Sequence, residues 1–218
     1  MTLDDMISVC RTRTADAIAP YLWSDVEWTL FLNEAENEAA ERAQLLLDTS
    51  TAACCLISVV ANTATYNLHA SILKVQRAKL TLGTRPLAET SIEQLDSESN
   101  WEAGTGTPAR FFQTSDTKIT LVPIPTAADT LNLRVYRLPI TQMATGTDEP
   151  EIAAKHHYRM LDWALRCAYL KQDSETLDKG KAAEYELAFI ASFGVKPDAN
   201  VQRKRRDRRP PVVQMGAW

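Results

Sequence analysis

The sequence predicts an α+β fold: a helical bundle, a small β domain inserted into it, and an extended C-terminal tail. Three observations carry this expectation. Apolar residues recur at helical spacing up to about residue 50 and again from residue 148. Between those stretches β-branched residues, alternation and turn residues take over. After residue 195 the periodicity stops and a basic, proline-containing run follows. The expected units are N-terminal bundle helices at 1–50, the β domain at 51–140, C-terminal bundle helices at 148–195 and the tail at 196–218.

The first helix is expected over 2–17, because Leu3, Met6, Ile7 and Cys10 lie at helical spacing. Thr2 serves as its N-cap ahead of Asp4 and Asp5, and Pro20 stops it. The second, over 24–48, opens on the capping box Ser24-Asp25-Val26-Glu27, in which each side chain satisfies the other residue's free backbone N–H. Trp28, Phe31, Leu32, Ala35, Ala39, Ala43 and Leu46 form its apolar stripe, opposite Glu34, Asn37, Glu38, Glu41 and Arg42. The stripe narrows to alanine in the middle, which lets another helix approach closely.

Strands are expected at 54–61, 64–68, 72–82, 109–113, 118–122 and 130–137, with a short helix near 91–96. Gly104-Thr105-Gly106-Thr107-Pro108 and Pro123-Ile124-Pro125 are the strongest breakers among them. Helices return at 150–171, with Pro150 in the first turn and Ile152, His156, Met160, Trp163, Cys167 and Leu170 as the stripe. Ser174 is expected to cap the last helix, which ends at Phe193-Gly194 with glycine in the left-handed position and Pro197 beyond it.

Composition narrows the function. No apolar run approaches the ~20 residues a membrane helix needs. Met1 to Ala17 has no apolar centre, so a cytoplasmic site of synthesis and no membrane partner are expected. Cys10, Cys54, Cys55 and Cys167 have neither a disulfide framework nor the CxxC spacing of a zinc site, and read as small apolar residues. His156 and His157 are adjacent, and helical neighbours point about 100° apart, so shared metal ligation is not expected. Gly104-Thr105-Gly106 lacks the Lys-Ser/Thr of a phosphate loop, and no GxSxG elbow occurs. Glu34, Glu36, Glu38 and Glu41 read as a solvated charge run. No catalytic, cofactor or metal site is therefore expected, and the chain reads as a non-enzyme.

The net charge of −4 conceals an asymmetry: residues 203–209 hold six of the 24 basic residues and one of the 28 acidic ones, so that run is +5 and the rest −9. An acidic body with a basic tail suggests two different partners. The tail could neutralise nucleic-acid phosphates, dock on a protein, or stay solvated. Pro210-Pro211 and the apolar end formed by Val212, Val213, Met215 and Trp218 favour protein docking.

The order of segments resembles the head-to-tail adaptor proteins of tailed phages, the group that includes the tail tubular protein A of T7-like podoviruses. The resemblance rests on Tyr21-Leu22-Trp23-Ser24-Asp25 with Leu32-Asn33-Glu34-Ala35, Trp101 ahead of the Gly104–Pro108 turn, and Pro123-Ile124-Pro125. It continues through Tyr136-Arg137-Leu138-Pro139 and Glu149-Pro150 leading into His156-His157-Tyr158, and so spans Thr2 to Gly194. It implies a virion neck protein forming a homo-oligomeric ring of twelve copies under the portal protein, with a tail tube or nozzle protein below and double-stranded DNA passing through. Subunit packing would then fall to the bundle helices, at Trp28, Phe31, Ala35, Ala39 and Trp163. Portal docking would fall to the tail, at Arg203, Lys204, Arg205, Arg206, Arg208, Arg209 and Trp218. A DNA-binding or packaging accessory acting through the same tail is the alternative.

Overall fold

A computed structural model describes residues 1–198. Its elements begin with α1 (Leu3–Thr14), α2 (Asp25–Ala43), β1 (Leu46–Asp48), α3 (Ala52–Cys55), β2 (Leu56–Val59), β3 (Thr65–Asn67) and β4 (Ile72–Leu80). There follow β5 (Ala88–Glu89), α4 (Ile92–Asp96), β6 (Thr105–Gly106), β7 (Arg110–Ser115), β8 (Lys118–Val122), β9 (Ile124–Pro125) and β10 (Asp129–Arg137). A 3₁₀ turn at Ala154–His156 leads into α5 (His157–Tyr169), and α6 (Lys179–Phe193) closes the described fold. The chain divides into two compact units, one formed by Met1–Leu47 with Arg137–Lys196 and the other by Asp48–Tyr136.

In the helical unit α2 packs against α5, α5 against α6, and α1 against α5. The core is continuous through Met6 and Cys10 of α1, Trp28, Leu32, Ala35 and Ala39 of α2, Met160, Leu161, Ala164 and Leu165 of α5, and Phe189 of α6. Both N-termini carry the expected side-chain caps. The Thr2 hydroxyl accepts the Asp5 N–H while the Asp5 carboxylate accepts that of Thr2, and Ser24 and Glu27 do the same for α2. Ser24→Ala is expected to cost about 1 kcal/mol, read as a shift of the urea midpoint, because it leaves a first-turn N–H without its acceptor.

Several boundaries differ from the sequence expectation, each for a local reason. Helix α1 ends before Pro20 can act, at Ala15, which is left-handed, and the Asp16 carboxylate then takes the N–H groups of Leu22 and Trp23. Helix α2 ends at left-handed Gln44, so Leu46 belongs to a strand instead of the helical stripe. Pro150 does not begin a helix: the Glu151 carboxylate accepts the Ile140 and Thr141 N–H groups, Glu36 accepts that of Ile152, and the helix waits until His157. Ser174 is not the cap of the last helix; its hydroxyl turns to Asp173, and Asp178 accepts the N–H groups of Gly180 and Lys181. Gly194 has the expected positive φ, +84°, but an extended ψ.

In the β unit, β10 pairs antiparallel with β2, Leu131 facing Ile57, and also pairs with β4. Leu131, Leu133 and Val135 point inward while Asn132 and Arg134 are exposed, the alternation of a half-buried strand. A second sheet runs β3-β8-β7-β5, antiparallel except for the β5–β7 pair. Thr105–Gly106, expected as part of a turn, is a short strand parallel to Ile124–Pro125. The segment expected as a strand from residue 54 begins instead as the single turn α3, because the Asp48 carboxylate accepts the Ser50 and Thr51 N–H groups and curls the chain there. The core of this unit includes Cys54, Cys55, Val59, Tyr66, Val75, Phe111, Ile119 and Leu121 beside the β10 residues. A separate small cluster gathers Leu95, Phe112 and Val122 under Trp101.

Candidate functional site

The residues expected to dock on a portal, Arg203, Lys204, Arg205, Arg206, Arg208, Arg209 and Trp218, lie outside the described residues. The residues expected to pack subunits are brought together, but inside one chain. Trp28, Ala35 and Ala39 are fully buried, Trp163 nearly so, and Phe31 packs at the edge of the same core. Trp28 meets Trp23 at 5.6 Å and Phe31 at 6.0 Å between ring centroids. Trp163 packs on Phe189 at 5.1 Å, with the guanidinium groups of Arg42 and Arg166 at 4.7 and 4.4 Å from its ring. The alanine-narrowed stripe thus admits α5 of the same chain. What α2 turns outward is Val26, 71% exposed, and Leu30, 62% exposed, one turn apart on one face, and the preceding loop exposes Ile18.

The acidic run of α2 is solvated only in part: Glu34 is exposed and Glu41 half-exposed, but Glu36 and Glu38 are buried. Glu36 is 1% exposed and holds the Ile152 N–H at 3.2 Å. Burial pushes its carboxyl up to about 7, outweighing the N–H groups of Ile152 and Glu151 that favour the charged form. Glu38 is buried too, yet its carboxyl lies below the ordinary range, because Arg42 and Lys196 together overcome the effect of burial. Glu34 accepts the Trp163 indole N–H at 3.2 Å. Asn33 beside them makes a reciprocal pair with Met143, donating to its carbonyl and accepting its N–H, each at 2.9 Å. These groups tie α2 to α5 and to the segments flanking it. They were hidden in the sequence because a charge one position off an apolar stripe looks the same whether water or a backbone N–H faces it.

The histidines are held separately. His157 is buried, its ring nitrogens 3.1 Å from the Met1 amino group and 2.8 Å from the Ile152 carbonyl oxygen. His156 leans on Phe193, and its pKa lies below the ordinary value through partial burial and the nearby Lys155 and His157. His69 pairs with Ser71.

One grouping was not legible in the sequence. The turn after β1 brings Cys54 and Cys55 back to Asp48, the last residue of that strand, and all three are buried. The two sulfurs are 3.8 Å apart, Cys55 Sγ is 3.5 Å from Asp48 Oδ1, and Cys54 Sγ is 3.8 Å from Asp48 Oδ2. Burial, reinforced by Cys54 and Asp48, pushes the Cys55 thiol up to about 12. The available signal was Asp48 ahead of Ser50 and Thr51, a spacing that favours a side-chain turn, six residues before the first cysteine.

No helix among the described residues is long and apolar enough to cross a membrane. Compared with known proteins, residues 1–215 match the family model described as SU10 adaptor protein, a span that takes in the basic run at 203–209. No curated protein matches the chain.

Proposed function

The chain belongs to the SU10 adaptor protein family, and on that premise we propose that it is a structural, non-catalytic subunit of a tailed-phage neck. In this reading it forms a head-to-tail adaptor ring of twelve copies that docks under the portal protein, extends the DNA channel and gives the tail tube or nozzle protein its platform. The family match over residues 1–215 carries the reading. The charge distribution supports it. Outside residues 203–209 the chain carries −9, and wherever that acidic surface lines the channel it repels phosphate and keeps passing DNA from sticking.

Trp28, Phe31, Ala35, Ala39 and Trp163 serve the ring by fixing α2 on α5. Direct contact between copies then falls to outward positions such as Val26 and Leu30. The tail residues Arg203, Lys204, Arg205, Arg206, Arg208, Arg209 and Trp218 reach the portal, arginine forks pairing with carboxylates and the terminal tryptophan seating in an apolar pocket.

Electron microscopy of the purified chain, alone and mixed with the portal protein of the same genome, tests the reading: a ring stacked on the portal is expected, and a portal left bare across salt and concentration overturns it. Deleting residues 201–218 is expected to weaken portal binding by roughly tenfold or more while leaving the fold intact, measured by surface plasmon resonance and circular dichroism. Undiminished affinity would reject the tail assignment. The +5 run favours the second reading, a DNA-binding or packaging accessory. That reading requires duplex binding without portal and an affinity that falls steeply with salt.

A further inference from the structure

We propose that Asp48, Cys54 and Cys55 form a binding site for a thiophilic divalent cation of the zinc class, with one carboxylate and two thiolates as protein ligands. Among the described residues this is the group of histidine, cysteine, aspartate or glutamate side chains whose potential ligand atoms converge, all within 4.8 Å of one another. Adjacent residues in a long helix could not do this, since their side chains diverge by about 100°. Here α3 is a single turn that ends at Cys55 and passes directly into β2 at Leu56, and the two sulfurs at its end lie 3.8 Å apart.

The distances suit a tetrahedral ion. Zinc–sulfur bonds of about 2.3 Å at the tetrahedral angle set two sulfurs about 3.8 Å apart, and a sulfur and a carboxylate oxygen about 3.6 Å apart. The sulfurs are 3.8 Å apart, and the two sulfur–oxygen separations are 3.5 and 3.8 Å. These two separations end on different carboxylate oxygens, Oδ1 for Cys55 and Oδ2 for Cys54, so one ion reaches all three side chains, whose ligand atoms lie within 4.8 Å of one another, when the Asp48 carboxylate turns or uses both of its oxygens. The donor set selects the metal, because two thiolates favour zinc and its borderline-soft neighbours over magnesium or calcium. Asp48 is already oriented, its carboxylate accepting the Ser50 and Thr51 N–H groups, which is the kind of support that fixes a metal ligand in place.

On binding, two S–H bonds are exchanged for two metal–sulfur bonds and two protons leave to solvent, with no change of oxidation state. The ion would staple the turn from Asp48 to Cys55, where the chain enters the β unit. Burial of all three side chains shields the metal–sulfur bonds from bulk water once they form.

Cobalt(II) is the probe, titrated into the full chain kept reduced by a phosphine. One equivalent is expected to give sulfur-to-cobalt charge-transfer absorption and the intense visible bands of a tetrahedral site, displaced by one equivalent of zinc. The double variant Cys54→Ser/Cys55→Ser is expected to lose the charge-transfer band and at least roughly a hundredfold in affinity, the upper range of what even outer-shell changes cost. Cys10→Ser/Cys167→Ser is expected to keep both. No charge-transfer band in the parent chain, or an undiminished band in the first double variant, overturns the site. Should that variant fail to fold, X-ray absorption of the zinc-loaded parent decides: two sulfur neighbours at about 2.3 Å support the proposal, and none, or four, reject it.

Discussion

Replacing Trp28 with alanine is expected to destabilise the helical unit by about 3–5 kcal/mol, enough to remove much of a domain's stability. Trp28 is fully buried between Trp23 and Phe31, where the deleted indole leaves a cavity walled by other rings that cannot all collapse into it. Two conservative variants separate packing from hydrogen bonding. The Trp23 indole N–H donates to the Ala168 carbonyl at 3.1 Å, whereas that of Trp28 meets no acceptor among the described residues. Trp23→Phe forfeits a hydrogen bond and Trp28→Phe does not, so Trp23→Phe is expected to be the more destabilising by about 1 kcal/mol. Urea unfolding followed by fluorescence and circular dichroism checks both comparisons. The reverse order of the two phenylalanine variants would contradict this account of the core.

Glu36→Gln is expected to flatten the response of stability to pH. Burial raises the native carboxyl from 4.5 to about 7. Between those values the native state binds a proton that the unfolded chain does not, so stability falls as pH rises through that window and is level on either side of it. The fall attributable to Glu36 is about 3 kcal/mol. Glutamine keeps an acceptor for the Ile152 N–H and cannot ionise. The variant should match the parent near pH 4 and exceed it by about 3 kcal/mol at pH 8. Taking the difference between the two chains removes the contributions of other groups, including Asp148, whose carboxyl is held down to about 2 by the Thr145 hydroxyl and the Thr145 and Ala144 N–H groups. Parallel pH profiles for parent and variant would contradict the assignment.

The parts of the fold legible in the sequence are those governed by neighbours a few positions apart. The N-cap at Thr2 and the capping box at Ser24 depend on residues within one turn, and β10 shows its alternation within nine residues. The starts of α5 and α6 were not legible, because carboxylates compete for the backbone there. Glu151 and Glu36 hold the chain out of a helix around Pro150, and Asp178 captures the cap that Ser174 could have supplied. The apolar stripe of α2 announced a close helical neighbour without saying whose helix it was, since Ala35 and Ala39 accept α5 of their own chain as readily as a helix from another copy. Asp48 escaped notice for the same reason. Its relation to Cys54 and Cys55 depends on a turn, and periodicity does not report turns.

Up to residue 196 the β unit is one stretch, Asp48–Tyr136, and the helical unit is split around it, with Met1–Leu47 on one side and Arg137–Lys196 on the other. During synthesis, α1 and α2 therefore emerge long before α5, the helix that covers their apolar faces. At roughly 5–20 residues per second, the ribosome adds the intervening stretch on the order of ten seconds later. Throughout that interval Trp28 has Trp23 and Phe31 beside it, but Leu32 and the alanine stripe lack α5, while the β unit can finish folding as it leaves the exit tunnel. The inserted unit is therefore expected to mature before the helical unit that brackets it. The nascent N-terminal helices are the segment most in need of a chaperone.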